Sequence, residues 1–269
     1  MSKLRHLLFA RSFLPYPFPT EYSVILENLQ TLSKVTNFKC TREVFEIVPK
    51  LKKLGISYSY DEYMEWSSYE FDSFAYLHHL ETLKCLFTNI LYYPSAEPLR
   101  INLAFPQSLK KLTLSGCRIS WKKMTVIGSL HNLEILKLKN HAFDGSVWEP
   151  NEGEFIQLKF LLIEWSNLEH WRANPTHFPQ LRHLSLRYCS KLAAIPSGIG
   201  DIQTLELLAL YECSPSAVAS AMLIQEEQQS LENDGLSVRI ISSFHDNYYS
   251  HKHRYAGLYP DAPNNRRQR

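Results

Sequence analysis

The spacing Leu-x-x-Leu-x-Leu-x-x-Cys occurs three times in this chain, at Leu109/Leu112/Leu114/Cys117, Leu181/Leu184/Leu186/Cys189 and Leu205/Leu208/Leu210/Cys213. Two copies between them, Leu133/Leu136/Leu138/His141 and Leu158/Leu161/Ile163/Ser166, keep the apolar spacing and change only the ninth position. Aligned on its second leucine, the unit recurs at Leu7, Leu32, Leu54, Leu83, Leu112, Leu136, Leu161, Leu184 and Leu208, at intervals of 22 to 29 residues. Such a period marks a leucine-rich repeat, and about nine units can be traced. The early ones are looser: Leu51/Leu54/Ile56 is regular, whereas Leu29/Leu32 with Val35 is not.

A strand alternates its side chains between two faces, so the second and third leucines of a unit point one way and the residue between them the other. One unit cannot bury its leucines alone, but stacked units share a continuous core. The expected fold is therefore an α/β solenoid, a horseshoe with parallel concave strands and short convex helices or loops. The ninth residue sits where the chain leaves the strand, and a small Cys or Ser there can satisfy backbone groups inside the turn. Segment 121–130 could hold a short helix, 142–154 reads as a loop, and 61–76 is an acidic, aromatic-rich insertion. Helix content should be modest.

Residues 1–241 are read as one repeat domain, with 214–241 as its C-terminal cap and 242–269 as a polar, disordered tail. Ser214-Pro215-Ser216 looks like a helix start, Asn233-Asp234-Gly235 a stop, and Leu236–Ile240 an alternating strand. The N-terminal side reads as cut, because Leu4-Arg5-His6-Leu7 is already a repeat strand.

A formal net charge of +2 gives no case for nucleic acid, since no element interleaves a basic stripe with aromatics. No apolar run approaches the roughly 18 residues of a membrane span. The five cysteines are odd in number and three fill the repeat's own slot, and the one potential glycosylation site, Asn174, is blocked by Pro175. These features favour a cytoplasmic home, or a peripheral one at the plasma membrane.

The Cys-type units, the run Leu51-Lys52-Lys53-Leu54-Gly55-Ile56, and the closing Cys213-Ser214-Pro215-Ser216-Ala217 followed by Gln225-Glu226-Glu227-Gln228 resemble the C-terminal repeat domain of plant intracellular NLR immune receptors. The likeness is to the coiled-coil class, late-blight-resistance type of the nightshade family, over about residues 1–241. The resemblance implies a domain that senses a pathogen effector, directly or through a guarded host protein, and restrains a nucleotide-binding domain upstream. The sequence has no Gly-x-x-x-x-Gly-Lys-Ser/Thr loop, so ATP binding is not carried over and no cofactor is expected. A substrate-recognition array of a ubiquitin ligase is the alternative, but it would need an F-box helix bundle that the sequence lacks.

No catalytic motif is present, and His78-His79 and His251-Lys252-His253 lack cysteine or carboxylate partners at ligand spacing. No enzyme activity and no metal site are expected. Binding residues follow from strand geometry instead, because positions three, five, seven and eight of each unit face the concave side or its rim. In the last three regular units these are Phe160, Leu162, Glu164 and Trp165; His183, Ser185, Arg187 and Tyr188; and Leu207, Ala209, Tyr211 and Glu212. Trp, Tyr and Arg are enriched at binding hot spots. The candidate protein-binding patch is accordingly Phe160, Glu164, Trp165, His183, Arg187, Tyr188, Tyr211 and Glu212. The acidic insertion is a second candidate for docking.

Overall fold

The computed structural model describes residues 3–13, 25–38, 40–59, 71–88, 102–233 and 235–242. The greater part of the acidic insertion and the 243–269 tail lie outside them.

Every regular unit contributes one strand to a ten-stranded parallel sheet built in chain order. Its members are β1 (His6–Phe13), β2 (Thr31–Thr36), β3 (Lys53–Ser59), β4 (Thr82–Thr88), β5 (Lys111–Ser115), β7 (Ile135–Lys139), β10 (Phe160–Glu164), β12 (His183–Arg187), β13 (Leu207–Tyr211) and β14 (Ser237–Ile241). The register is the repeat itself. Leu7, Leu32, Leu54, Leu83, Leu112, Leu136, Leu161, Leu184 and Leu208 face one another in turn, and Val238 of β14 closes the row. The expected leucine ladder is thus present in full.

In the regular units the first and third apolar residues pack on the same side of the sheet as the second. Leu109, Leu133, Leu158 and Leu181 are fully buried, as are Leu136, Leu161 and Leu208, and they belong to one continuous apolar core. At the irregular second unit the register slips between Leu32 and Val35, and Lys34 adopts φ +61. That bulge lets Val35, one residue late, take the inward place opposite Ile56.

Helices are few and short. Residues 121–130 hold the 3₁₀ turn Trp121–Lys123 and the helix α2 (Thr125–Gly128), as the sequence allowed, and α1 is Arg42–Glu46. The long one is α3 (Pro215–Ser230), capped by the Ser214 hydroxyl accepting from the Ala217 amide at 3.1 Å, with Pro215 at its first turn. Its buried Ala217, Ala221, Ile224 and Gln228 follow the helical period and cover the end of the core.

Segment 142–154 departs from the loop expected there. With its neighbours it forms a second rank of short parallel pairs: β6 (Ile119–Ser120) with β8 (Phe143–Asp144), and β9 (Val147–Trp148) with β11 (His170–Trp171). This rank stacks Trp121 on Trp148 at 5.0 Å and Trp148 on Trp171 at 5.3 Å between ring centroids. The sequence hid it because two-residue strands carry no periodicity; the signal was one Trp per outer turn.

Candidate functional site

The eighth position of the unit decides where the candidate patch lies. In β3 and β4 the strands run on through it, strand alternation turns Tyr58 and Phe87 inward, and the two rings pack at 4.9 Å in the core. In the later units the same position is left-handed: Gly116 (φ +71), Asn140 (+48), Trp165 (+55), Tyr188 (+53) and Glu212 (+48). A left-handed residue breaks the alternation, so the eighth side chain swings out and the ninth turns in.

This explains the Cys slot. Cys117, Cys189 and Cys213 are buried and free, and their thiols lie against strand-end carbonyls: Cys117 with Ser115 at 3.6 Å, Cys189 with Arg187 at 3.5 Å, Cys213 with Leu186 at 3.4 Å. Ser166 fills the slot in its unit and accepts from the Leu168 amide at 3.2 Å. Where the ninth residue is His141, a second left-handed residue follows Asn140, His141 stays half out, and Ala142 takes the inward place.

Gly and Asn suit a left-handed turn, but a bulky aromatic there costs roughly 1–2 kcal/mol. Trp165 and Tyr188 hold it nonetheless. Their rings stack with centroids 4.2 Å apart and planes 12° apart, and Tyr211, from the seventh position of β13, meets Tyr188 edge-on at 5.1 Å. Trp165 remains 47 % exposed and Tyr211 37 %. The Tyr188 phenol is pushed above its ordinary value, first by its hydrogen bond with Tyr211 and then by burial and the Glu212 and Glu164 carboxylates.

All eight predicted residues lie on β10, β12 and β13 or the turns that follow them, in two groups. Trp165, Tyr188, Tyr211 and Glu212 gather at the C-terminal ends of the strands, beside the in-register row Glu164, Arg187, Tyr211. Glu164 is held by Lys139 at 3.2 Å. Phe160 and His183 sit at the opposite end, ring to ring at 6.3 Å, with the Lys137 ammonium 5.3 Å over the Phe160 ring and Glu206 3.6 Å from His183. Between the groups, Leu162 and Ser185 were expected to be presented outward, but they are only 5 % and 8 % exposed. Taller neighbours in the flanking rows cover them, so they form a recessed floor continued by the half-buried Ala209.

Sequence reasoning missed a lysine field. Lys53, Lys84, Lys111 and Lys137 come one each from the adjacent strands β3, β4, β5 and β7, alternating between the third and fifth positions of the open face. They are far apart in sequence and invisible as a run; only the repeat register collects them. At the second position, by contrast, three cations pair with carboxylates across strands: Lys110 with Glu81 (3.8 Å), Lys159 with Glu134 (3.2 Å) and Arg182 with Glu206 (2.7 Å). Exposed pairs of this kind contribute about 0–1 kcal/mol each.

Among the described residues no group of three metal-ligating side chains occurs, and no helix is long and apolar enough to cross a membrane.

No protein-family profile matches the chain. Curated relatives do. It is 31 % identical over 255 residues to one putative late blight resistance protein homolog, 33 % over 238 residues to another, and 31 % over 239 residues to a late blight resistance protein, all from Solanum demissum. These alignments cover 85 to 91 % of the chain but only 17 to 18 % of each relative, so the chain spans under a fifth of their length. Along most of its residues, then, the chain is a homologue of one segment of the late blight resistance proteins of Solanum demissum.

Proposed function

We propose that the chain is a leucine-rich repeat solenoid, residues 1–241 with 214–241 as cap, acting as the protein-recognition module of a plant disease-resistance receptor. On this reading it has no chemistry of its own, works in the cytoplasm, binds a pathogen effector or a guarded host protein on the concave sheet face, and restrains the receptor's nucleotide-binding switch. The in-register leucine ladder and the resistance-protein relatives support the architecture and the setting.

The observation that carries the binding reading is the solvent-facing Trp165/Tyr188/Tyr211 ladder, in which Trp165 and Tyr188 stand on left-handed turns that disfavour aromatics. Local backbone cost kept in place by the fold is a sign of function. Rigid aromatics beside an Arg are also the composition of a binding hot spot.

The test is capture of partners from pathogen-challenged leaf tissue on the chain and on alanine variants. A protein retained by the unaltered chain should be lost from W165A and from Y188A, each weakening binding by about 2 kcal/mol or more. Lys122 and Lys123, on the outer turns, should be replaceable without effect. Loss on changing those lysines, with the ladder silent, would move the site off the sheet face.

A further inference from the structure

We propose that the open face of the sheet takes one extended polypeptide segment of the partner, acidic where it crosses β4, β5 and β7 and apolar or aromatic where it crosses β10, β12 and β13. This rests on the recognition reading above and adds the chemistry of what is recognised.

Charge is the first ground. On the third, fifth and seventh positions from β3 to β13 the only carboxylate is Glu164, and Lys139 already engages it. Lys53, Lys84 and Lys111 are exposed and have no ion pair among the described residues, whereas the second-position lysines Lys110 and Lys159 do. Lys110 and Lys159 at the edge and Lys139 on the face are thus neutralised, whereas Lys53, Lys84 and Lys111 are left uncompensated on the face. Such a field attracts an acidic partner and speeds its encounter.

Spacing is the second ground. Strands lie about 4.8 Å apart and residues two apart along a strand span about 6.7 Å, so successive lysines of the zigzag are roughly 8 Å apart at their backbones. Across the strands the four lysines span about 14 Å, and three same-side residues of an extended chain, about 6.7 Å apart, span about 13 Å, so carboxylates at alternate positions lie within reach of the lysine side chains.

The recessed row is the third. Leu162, Ser185 and Ala209 floor a channel across the strands, between Phe160 and His183 on one side and the aromatic ladder on the other. It leads on to Lys137, Thr113 and Lys84 in the same fifth-position row. Glu164 and Glu212 flank the ladder, so a nucleic-acid backbone continuing from the lysines onto the aromatics would meet like charge; an apolar peptide would not.

The experiment selects binders from a displayed library of random twelve-residue peptides on the full chain, on K84E/K111E and on W165A. The unaltered chain should enrich peptides with Asp or Glu grouped at one end and Phe, Leu, Met or Trp at the other. A resynthesised peptide should bind K84E/K111E at least tenfold more weakly and weaken in high salt. W165A should keep the acidic preference and lose the apolar one, and K122E/K123E should select as the unaltered chain does. Peptides without acidic enrichment, no peptides at all, or selection unchanged by K84E/K111E would overturn the inference. So would polyuridylate or inositol hexakisphosphate competing as well as the peptide. Partner capture that still depends on Trp165 and Tyr188 would leave the recognition reading standing in each of those cases.

Discussion

Trp165 and Tyr188 stack face to face at 4.2 Å across adjacent strands, from backbone turns with φ of +55° and +53°. The stack contributes about 0.5–1.5 kcal/mol, while each left-handed aromatic costs roughly 1–2 kcal/mol. Replacing one of the two aromatics gives up the stack and relieves one left-handed turn, so for a single change the two effects nearly cancel. Tyr188→Asn, which places here the residue type of position 140, should therefore change unfolding free energy by less than about 1 kcal/mol in denaturant titration. A core leucine behaves otherwise: Leu161→Ala should cost about 2–5 kcal/mol.

The left-handed turn also sets apart two glycines. A Cβ on Gly116 would sit 2.3 Å from the Phe87 carbonyl oxygen, so Gly116→Ala combines backbone strain with a collision against main chain. It should destabilise by more than about 2 kcal/mol. Gly153 has a similar φ of +78 but open space around it, and its alanine variant should lose only about 1 kcal/mol. Equal melting temperatures for the two variants would contradict this turn geometry.

Trp121, Trp148 and Trp171 bury indole N–H groups that have no hydrogen-bond partner among the described residues. Trp148→Phe removes such a donor and keeps a ring in the stack, so it should cost under about 1.5 kcal/mol. Trp148→Ala empties the site and should cost about 3–5 kcal/mol. If the phenylalanine variant were as unstable as the alanine one, the indole N–H would have a partner after all.

The buried thiols should be chemically quiet. Burial pushes Cys40 up to about 12 and raises Cys85 and Cys117 well above their usual range; Cys189 is raised by its hydrogen bond to Cys213 and by burial. Thiolate is the reactive form. In the folded chain at neutral pH, a maleimide should leave Cys40, Cys85 and Cys117 unlabelled until denaturant is added, with Cys213, the less buried partner of its pair, reacting ahead of them. Mass spectrometry of the labelled peptides reads the order.

His141 gives a pH signature. Burial is the main cause lowering its pKa below 6.5; Asp144 opposes it and Arg118 adds to it. The unfolded chain therefore takes up the proton more readily than the folded one, and this group's contribution to stability falls as pH drops through about 6.5. His141→Asn removes the titration and suits φ +56. Its advantage over the unaltered chain should be small at pH 8 and grow toward pH 5; an advantage that shrinks on acidification would reverse the sign of the coupling.

The leucine register was legible because nine leucines at a near-constant period leave one way to stack, and the three Cys slots followed. What stayed hidden depended on backbone sign. Nothing in Trp165 or Tyr188 announces a left-handed φ; Gly116 and Asn140, two and one units earlier, were the available hint. Tyr58 and Phe87, at the same position, go inward because their strands continue. The burial of Leu162 and Ser185 depended on the side chains of the flanking rows, and the lysine field on a register spanning four units.

The most direct test of the recognition surface places a photo-crosslinking benzoylphenylalanine at position 165, and separately at position 122, of the full chain expressed in plant tissue under pathogen challenge. Irradiation should join a partner to the chain from position 165, the adduct should disappear when Tyr188 is also replaced by alanine, and position 122 should give none. A partner crosslinked from position 122 and never from 165 would contradict the account.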